Sequence, residues 1–291
     1  MAGGATRAAD ATGTGEGRIR LGIVTPTYER PELLWRLHRS LAEGAGNDGG
    51  VDWLHCVVDD GSAADYADAL ARCNALTGRL RADRIPNAGA LAARNRAIDL
   101  AMAAGCTHLA FMDDDDTVVP GGLARVAARI REHPDARWLL FPSVWPDGRT
   151  VPWPERPTTV SWFADVVLGR RFGSDNLIVV ATGLVGATRF SRRGRNQREW
   201  QFLLRLSGKD DRVLVCPDPV QEKRYLPDGL SASAGQGASS PAQIANNVER
   251  AVRYWARRPL SPRLFAGACR QVAAAPLRLL GYVATSARRS R

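Results

Sequence analysis

Long apolar runs, a cysteine framework and the familiar hydrolase and phosphate-loop signatures are all missing from this 291-residue chain. No apolar stretch near the N-terminus is long enough for a secretory signal or a spanning helix. Five cysteines, Cys56, Cys73, Cys106, Cys216 and Cys269, are scattered without a C-x-x-C pair. An odd count, with Cys56 inside a strand-like apolar run, points to buried thiols in a reducing compartment rather than disulfides or a zinc site. The four histidines lie in unrelated places and no G-x-S-x-G occurs, so no Ser-His-Asp hydrolase is legible. G-x-G-x-x-G and Walker-type loops are absent too. The last gap is of acid: from Arg250 to Arg291 there are ten Arg and no Asp or Glu. That segment carries the whole net charge of +10. The body is neutral, which argues against a nucleic-acid binder. The expectation is a cytoplasmic protein with ample length for an α/β core.

What is present centres on Leu109-Ala110-Phe111-Met112-Asp113-Asp114-Asp115-Asp116. Four apolar residues after a turn-like Ala104-Gly105-Cys106 read as a buried strand of a parallel sheet. Ligands of open α/β sheets bind just beyond the carboxyl ends of such strands. Strand alternation would send Asp113 and Asp115 one way, Asp114 and Asp116 the other. Four adjacent carboxylates repel, so a hard cation with oxygen ligands is the natural partner. A solvated acidic loop is the plainer reading. A calcium EF-hand is excluded, because its sixth and twelfth positions would be Val118 and Ala124 instead of Gly and Glu. Asp113-x-Asp115-x-Thr117 also resembles the opening motif of haloacid-dehalogenase-type phosphatases, with Lys209-Asp210-Asp211 supplying, crowded together, that family's lysine and later acids.

The rest of the chain repeats one plan. Residues 1–18 are polar and aperiodic, a disordered leader. Leu21-Gly22-Ile23-Val24 is a strand, and Pro31 opens a helix marked by Leu33, Leu34, Leu37 and Leu41. Leu54 to Val58 is a second strand, ending in Asp59-Asp60-Gly61-Ser62. Asp60 there is placed either to accept a pyrimidine imide N–H or to organise the Asp-Gly turn. Pro86-Asn87-Ala88-Gly89 turns into a helix with Arg94 and Asn95 near its N-terminus, where phosphate is favoured. Trp138 to Phe141 reads as a strand, and the turn Trp145-Pro146-Asp147-Gly148 suggests a hairpin over 138–153. Leu177–Ala181 and Gly183–Ala187 read as strand-like pieces separated by Thr182. Glu199 is the one acid of a helix over about 198–206, set either as a general base or as an N-terminal stabiliser paired with Arg195 or Arg198.

In order, Ile23-Val24-Thr25-Pro26-Thr27-Tyr28-Glu29-Arg30-Pro31, Val57-Val58-Asp59-Asp60-Gly61-Ser62, Asn87-x-Gly89 with Ala93-Arg94-Asn95, and Phe111 to Asp116 resemble the motifs of the inverting family 2 glycosyltransferases. The likeness covers roughly residues 20 to 230. It implies a GT-A fold, an α/β Rossmann-like mostly parallel sheet flanked by helices, here with a helical C-terminal extension. The expected organisation is a nucleotide-sugar-binding half over 19–137, an acceptor-binding half over 138–232 and a basic, mainly helical tail over 233–291. The resemblance implies transfer from a UDP- or dTDP-sugar to an acceptor hydroxyl on a glycan, a lipid-linked sugar or a small molecule. Pro26, Thr27 and Tyr28 would line the base pocket and Asp60 would hold the pyrimidine. Arg94 would lie near the diphosphate. Glu29 joins the nucleotide-sugar residues where the family commonly has Asn. Asp115 with Asp113 would hold Mn²⁺ or Mg²⁺, with Asp113 and Asp114 near ribose or sugar. Glu199, followed by Trp200 and Arg205, takes the place of the family's Asp as general base, while Arg198 replaces the Glu that usually precedes it.

Besides the Mg²⁺-dependent phosphatase, a non-catalytic GT-A-like nucleotide-sugar binder stays open. The interleaved Arg and apolar residues of the tail suit a helix lying on an anionic membrane surface, placing the protein peripherally on its inner face. The competing expectation is that the tail packs back on the body.

Overall fold

The computed structural model describes residues 18–46, 51–145, 151–172, 176–191, 198–224 and 240–289. The leader up to residue 17, the turn residues Pro146 to Gly148, and Arg195 lie outside them. β1 (Arg20–Thr27), α1 (Pro31–Ala45), β2 (Asp52–Asp59), α2 (Ala67–Thr77), β3 (Leu80–Arg84), α3 (Ala90–Ala103) and β4 (His108–Phe111) alternate as expected. β5 (Thr117–Val118), α4 (Gly122–Glu132), β6 (Trp138–Phe141), β7 (Ser143–Val144) and β8 (Thr158–Ser161) follow. Next come a π-helix (Trp162–Leu168), β9 (Leu177–Ala181), α5 (Thr182–Val185), α6 (Glu199–Lys209), β10 (Arg212–Val215) and β11 (Gln221–Glu222). α7 (Pro241–Arg257) and α8 (Pro262–Arg289) complete the described chain.

Eight strands form one sheet in the order β3-β2-β1-β4-β9-β6-β10-β8. The first four are parallel, β9 runs antiparallel between β4 and β6, and β8 is an antiparallel edge. Alternate residues of each strand bury on opposite faces. Val24, Val180, Trp138 and Leu140 pack with Ile98 of α3 and Phe202 of α6. Ile23, Val179, Leu139 and Phe141 pack with Leu37 and Leu41 of α1 and Val126 of α4. A sheet covered on both faces explains the continuous apolar runs. α3 comes so close to β1 that a Cβ on Gly22 would lie 2.8 Å from the Cβ of Ala101.

Two expectations about the second half are corrected. β6 has β9 on one side and β10 on the other, so neither edge is free for a hairpin partner. After Pro142 the chain leaves the sheet, and β7 pairs with β11 in a small second sheet, β5-β11-β7. Thr182 does not separate two strands. Ala181 lies opposite His108, the first residue of β4, so β9 has no partner beyond it. Thr182 is tied to the Thr107 carbonyl through its N–H (2.8 Å) and hydroxyl (3.0 Å). The following residues coil into α5, which ends at Gly186 with φ +51°.

The tail divides. α7 packs on the body: Trp200 Nε1 donates to Asn246 Oδ1 (2.9 Å) and Gln201 donates to Glu249 (2.8 Å). Arg198 also pairs with Glu249, and Tyr254 meets Phe163 and Trp200 edge-on. α8 packs against α7 through Trp255 and Phe265 but leaves Leu277 73% and Leu280 67% exposed. Among the described residues no helix is long and apolar enough to cross a membrane.

Candidate active site at the carboxyl edge of the sheet

The chain winds from β1 through β2 to β3 on one side and places β4 on the other. The crevice between the carboxyl ends of β1 and β4 is therefore the topological switch point, where such sheets bind ligands. Residues at the end of β1 and just past β4 meet across it. Thr27 Oγ1 donates to Asp114 Oδ2 (2.7 Å) and also meets the Tyr66 hydroxyl (2.8 Å). The Arg30 guanidinium lies 3.6 Å from Asp114 and 3.8 Å from Asp115, and Arg36 donates to the Asp115 carbonyl.

The four acids do not alternate as an extended strand would place them. β4 stops at Phe111, and the chain turns so that the Asp116 N–H donates to the Asp113 carbonyl (3.2 Å). Carboxylate oxygens of Asp113, Asp115 and Asp116 come within 4.8 Å of one another. Asp114 instead turns into the buried contact with Thr27 and Arg30. Burial pushes Asp114 and Asp116 up to about 7, and burial together with the nearby Asp113 raises Asp115. Asp113 is pushed up by desolvation but brought below its ordinary value by Arg94, Lys223 and Arg30. One oxygen of Asp116, Oδ1, is buried without a hydrogen-bond partner. Three crowded carboxylates with an unsatisfied oxygen fit a hard divalent cation such as Mn²⁺ or Mg²⁺.

Arg94, in the second turn of α3, bridges this cluster to α6. One amino group bonds Asp113 and the other bonds Glu199. Glu199 is the first residue of α6 and its side chain is half exposed. Arg198 is directed to Glu249 of α7, so it does not pair with Glu199. The position that departs from the family pattern thus fastens the tail to the helix bearing the acid.

On the β2 side, Asp59 accepts from the Ser62 N–H (3.0 Å) and lies 3.3 Å from Arg84. Asp60 is buried, and its two oxygens accept the N–H groups of Ala88 and Gly89 (2.8 Å each). Asp59 therefore organises the Asp-Gly-Ser turn, and Asp60 ties it to the entrance of α3. Gly61 has φ +77°, and a Cβ there would lie 2.6 Å from the Asn87 nitrogen. Glu29, at φ 57°, accepts the N–H groups of Ala63 and Ala64, and its own N–H donates to Ser62 Oγ (2.8 Å). It clasps the loop after β2, a part the sequence does not announce. Pro26 precedes Thr27, the last residue of β1, and Tyr28 stands 47% exposed at the rim.

The sequence does not announce the far wall either. Gln221 donates to Asp116 (2.6 Å), and Lys223 Nζ lies 2.8 Å from the same carboxylate. They arrive because β11 pairs with β5, over a hundred residues away. Lys209-Asp210-Asp211 is elsewhere. These residues precede β10, whose carboxyl end points the same way as that of β4, so they lie at the opposite edge of the sheet. Lys209 donates to the carbonyls of Leu184 and Val185 (3.0 Å each), and Asp211 accepts from the Phe163 N–H (3.1 Å). That placement removes the phosphatase reading.

No curated protein matches the chain in sequence at a significant level. Among solved structures, S. aureus TarS superposes with a TM-score of 0.63 at 19% identity, over 80% of this chain and 39% of that one. TarS 1–349 in complex with UDP-GlcNAc gives 0.64 at 20%, over 80% and 66%. The chain thus spans about two fifths of TarS and just under two thirds of that shorter form. Mannosyltransferase PcManGT from Pyrobaculum calidifontis, in complex with GDP-Man and Mn²⁺, gives 0.51 at 16%, over 94% and 75%. At such identities the likeness establishes the fold, the GT-A arrangement of a mostly parallel sheet between helices. The family model for glycosyl transferase family 2 matches residues 22–191, more than half of the chain. The chain belongs to glycosyl transferase family 2.

Proposed function

We propose that the protein is an inverting glycosyltransferase that moves a sugar from a UDP- or dTDP-sugar to an acceptor hydroxyl. The observation that carries the reading is the Arg94 bridge, which joins Asp113 of the carboxylate cluster to Glu199 at the start of α6. Base pocket, diphosphate region and proton acceptor then lie in one crevice. Pro26, Thr27, Tyr28 and Asp60 border the base, with Glu29 holding their loop. Asp115 and Asp113 would hold Mn²⁺ or Mg²⁺, and Asp114 fixes the floor under the ribose. When bound, the divalent ion supplies charge neutralisation at the leaving diphosphate. Arg94 exchanges its carboxylate partners for the diphosphate, which releases Glu199. Glu199 takes the acceptor hydroxyl's proton as that oxygen bonds the anomeric carbon from the face opposite the departing phosphate oxygen. One bond forms as one breaks, so the centre inverts without a covalent sugar–enzyme intermediate.

A panel of nucleotide sugars with Mn²⁺, scored by calorimetric binding and by release of nucleoside diphosphate, tests the reading. One pyrimidine-nucleotide sugar is expected to bind and to be consumed slowly even with water as acceptor. Binding with no release for any acceptor class would favour the non-catalytic binding protein. No binding at all would remove the reading.

The acceptor is reached at an anionic membrane surface. Arg263 and Arg270 share one side of α8 with the exposed Leu277, and Arg278 and the exposed Leu280 flank it. Each Arg near such a surface adds roughly 1 kcal/mol at most, and apolar side chains entering the interface add to that. In low salt the full chain is expected to sediment with anionic liposomes and not with neutral ones. A Leu277→Asp, Leu280→Asp variant should stay behind. Wild-type protein left in the supernatant with anionic liposomes would sink the membrane reading.

A further inference from the structure

Lys223 brings a fixed positive charge into the carboxylate cluster. Its ammonium group lies 2.8 Å from Asp116, and only 17% of its side chain is exposed. Its charge also acts on Asp113 and Asp115, which share the cluster. Asp116 is 1% exposed and keeps one oxygen, Oδ1, without a partner. Neighbouring Gln221, also 1% exposed, donates to the same carboxylate and has a buried, unpartnered Oε1. The site therefore has acceptors to spare and one cation already inside it. An ammonium group and a divalent ion repel at this range, and burial sharpens the repulsion.

We propose that Lys223 is the internal counter-ion of this site, competing with the divalent ion until a nucleoside diphosphate arrives. This inference rests on the glycosyltransferase reading above. The free carboxylate cluster binds Mn²⁺ weakly because Lys223 already neutralises part of it. The diphosphate changes the balance, since its oxygens give the ammonium group a second anionic partner and the metal additional ligands. Metal and nucleotide then bind as a cooperative pair, and the linkage is reciprocal.

The experiment titrates the full chain with Mn²⁺ alone, UDP alone and both together, in wild type and in Lys223→Met. In the wild type, UDP is expected to tighten Mn²⁺ binding by on the order of tenfold or more. Lys223→Met should bind Mn²⁺ alone on the order of tenfold more tightly and lose most of the enhancement by UDP. Lys223→Gln, which keeps an N–H donor for Asp116 without the charge, should behave likewise and covers a folding failure of the methionine variant. Unchanged or weaker Mn²⁺ binding in whichever variant folds would overturn the proposal. A wild type that binds UDP with no dependence on Mn²⁺ would overturn it too, while leaving the nucleotide reading intact. A wild type that binds neither would instead remove the reading on which it rests.

Discussion

Glu199→Gln is expected to lower turnover by on the order of a hundredfold or more with donor binding preserved. The amide keeps the shape and can still accept a hydrogen bond from Arg94, but it cannot take the acceptor's proton. Because Glu199 sits at the exposed start of α6 rather than among its packed residues, the substitution has little to disturb in the core. A fall confined to kcat, with the donor Kd unchanged, separates loss of the base from loss of the bridge. Near-normal turnover would remove Glu199 from the chemistry. Asp210 and Asp211 would not then inherit the role, since both lie at the far edge of the sheet.

Asp115→Ala should abolish Mn²⁺-dependent binding of UDP or dTDP while leaving the fold intact. Asp115 contributes one of the three carboxylates that converge. Its 3.8 Å approach to Arg30 is too loose to be a structural requirement. Removing such a side chain costs little stability, on the order of 1 kcal/mol or less. Asp116 is a different matter, being buried and held by Gln221 and Lys223. Its loss would strand those groups, so it makes a poor probe of the metal. Nucleotide affinity that is equal in Asp115→Ala and wild type, with Mn²⁺ present, would sink the D-x-D assignment.

How much of this was legible depended on the range of the interaction that set each feature. Apolar runs closed by Asp59-Asp60 and by Asp113 to Asp116 marked the carboxyl ends of β2 and β4, because strand burial and strand termination are local. The alternation argument failed at Asp116, because the strand ended at Phe111 and the chain curled. Nothing near Gln221 or Lys223 hints that β11 will pair with β5. Nor does the neighbourhood of Trp138 say that β9 will cross from further along the chain to take its edge. Glu29 stands where the family commonly has Asn, and only the fold brings Ala63 and Ala64 within reach of its carboxylate. Arg198 departs from the family's pattern, and its partner Glu249 lies some fifty residues further along the chain. The tail's charge and amphipathicity were plain in the sequence, but its division into a docked α7 and a more open α8 was not.

The docking of α7 on α6 has a consequence for the order in which the molecule matures. As the chain leaves the ribosome, β1 through β4 can already form a layered unit with α1 and α3. α6 has its other neighbours by the time β10 is made. Trp200 still lacks Asn246 and Tyr254, and Arg198 lacks Glu249. A nascent chain stopped before residue 241 would hold the crevice between β1 and β4 complete and α6, which bears the proposed base, only partly clamped. Competence to bind the donor would thus come before competence to transfer the sugar.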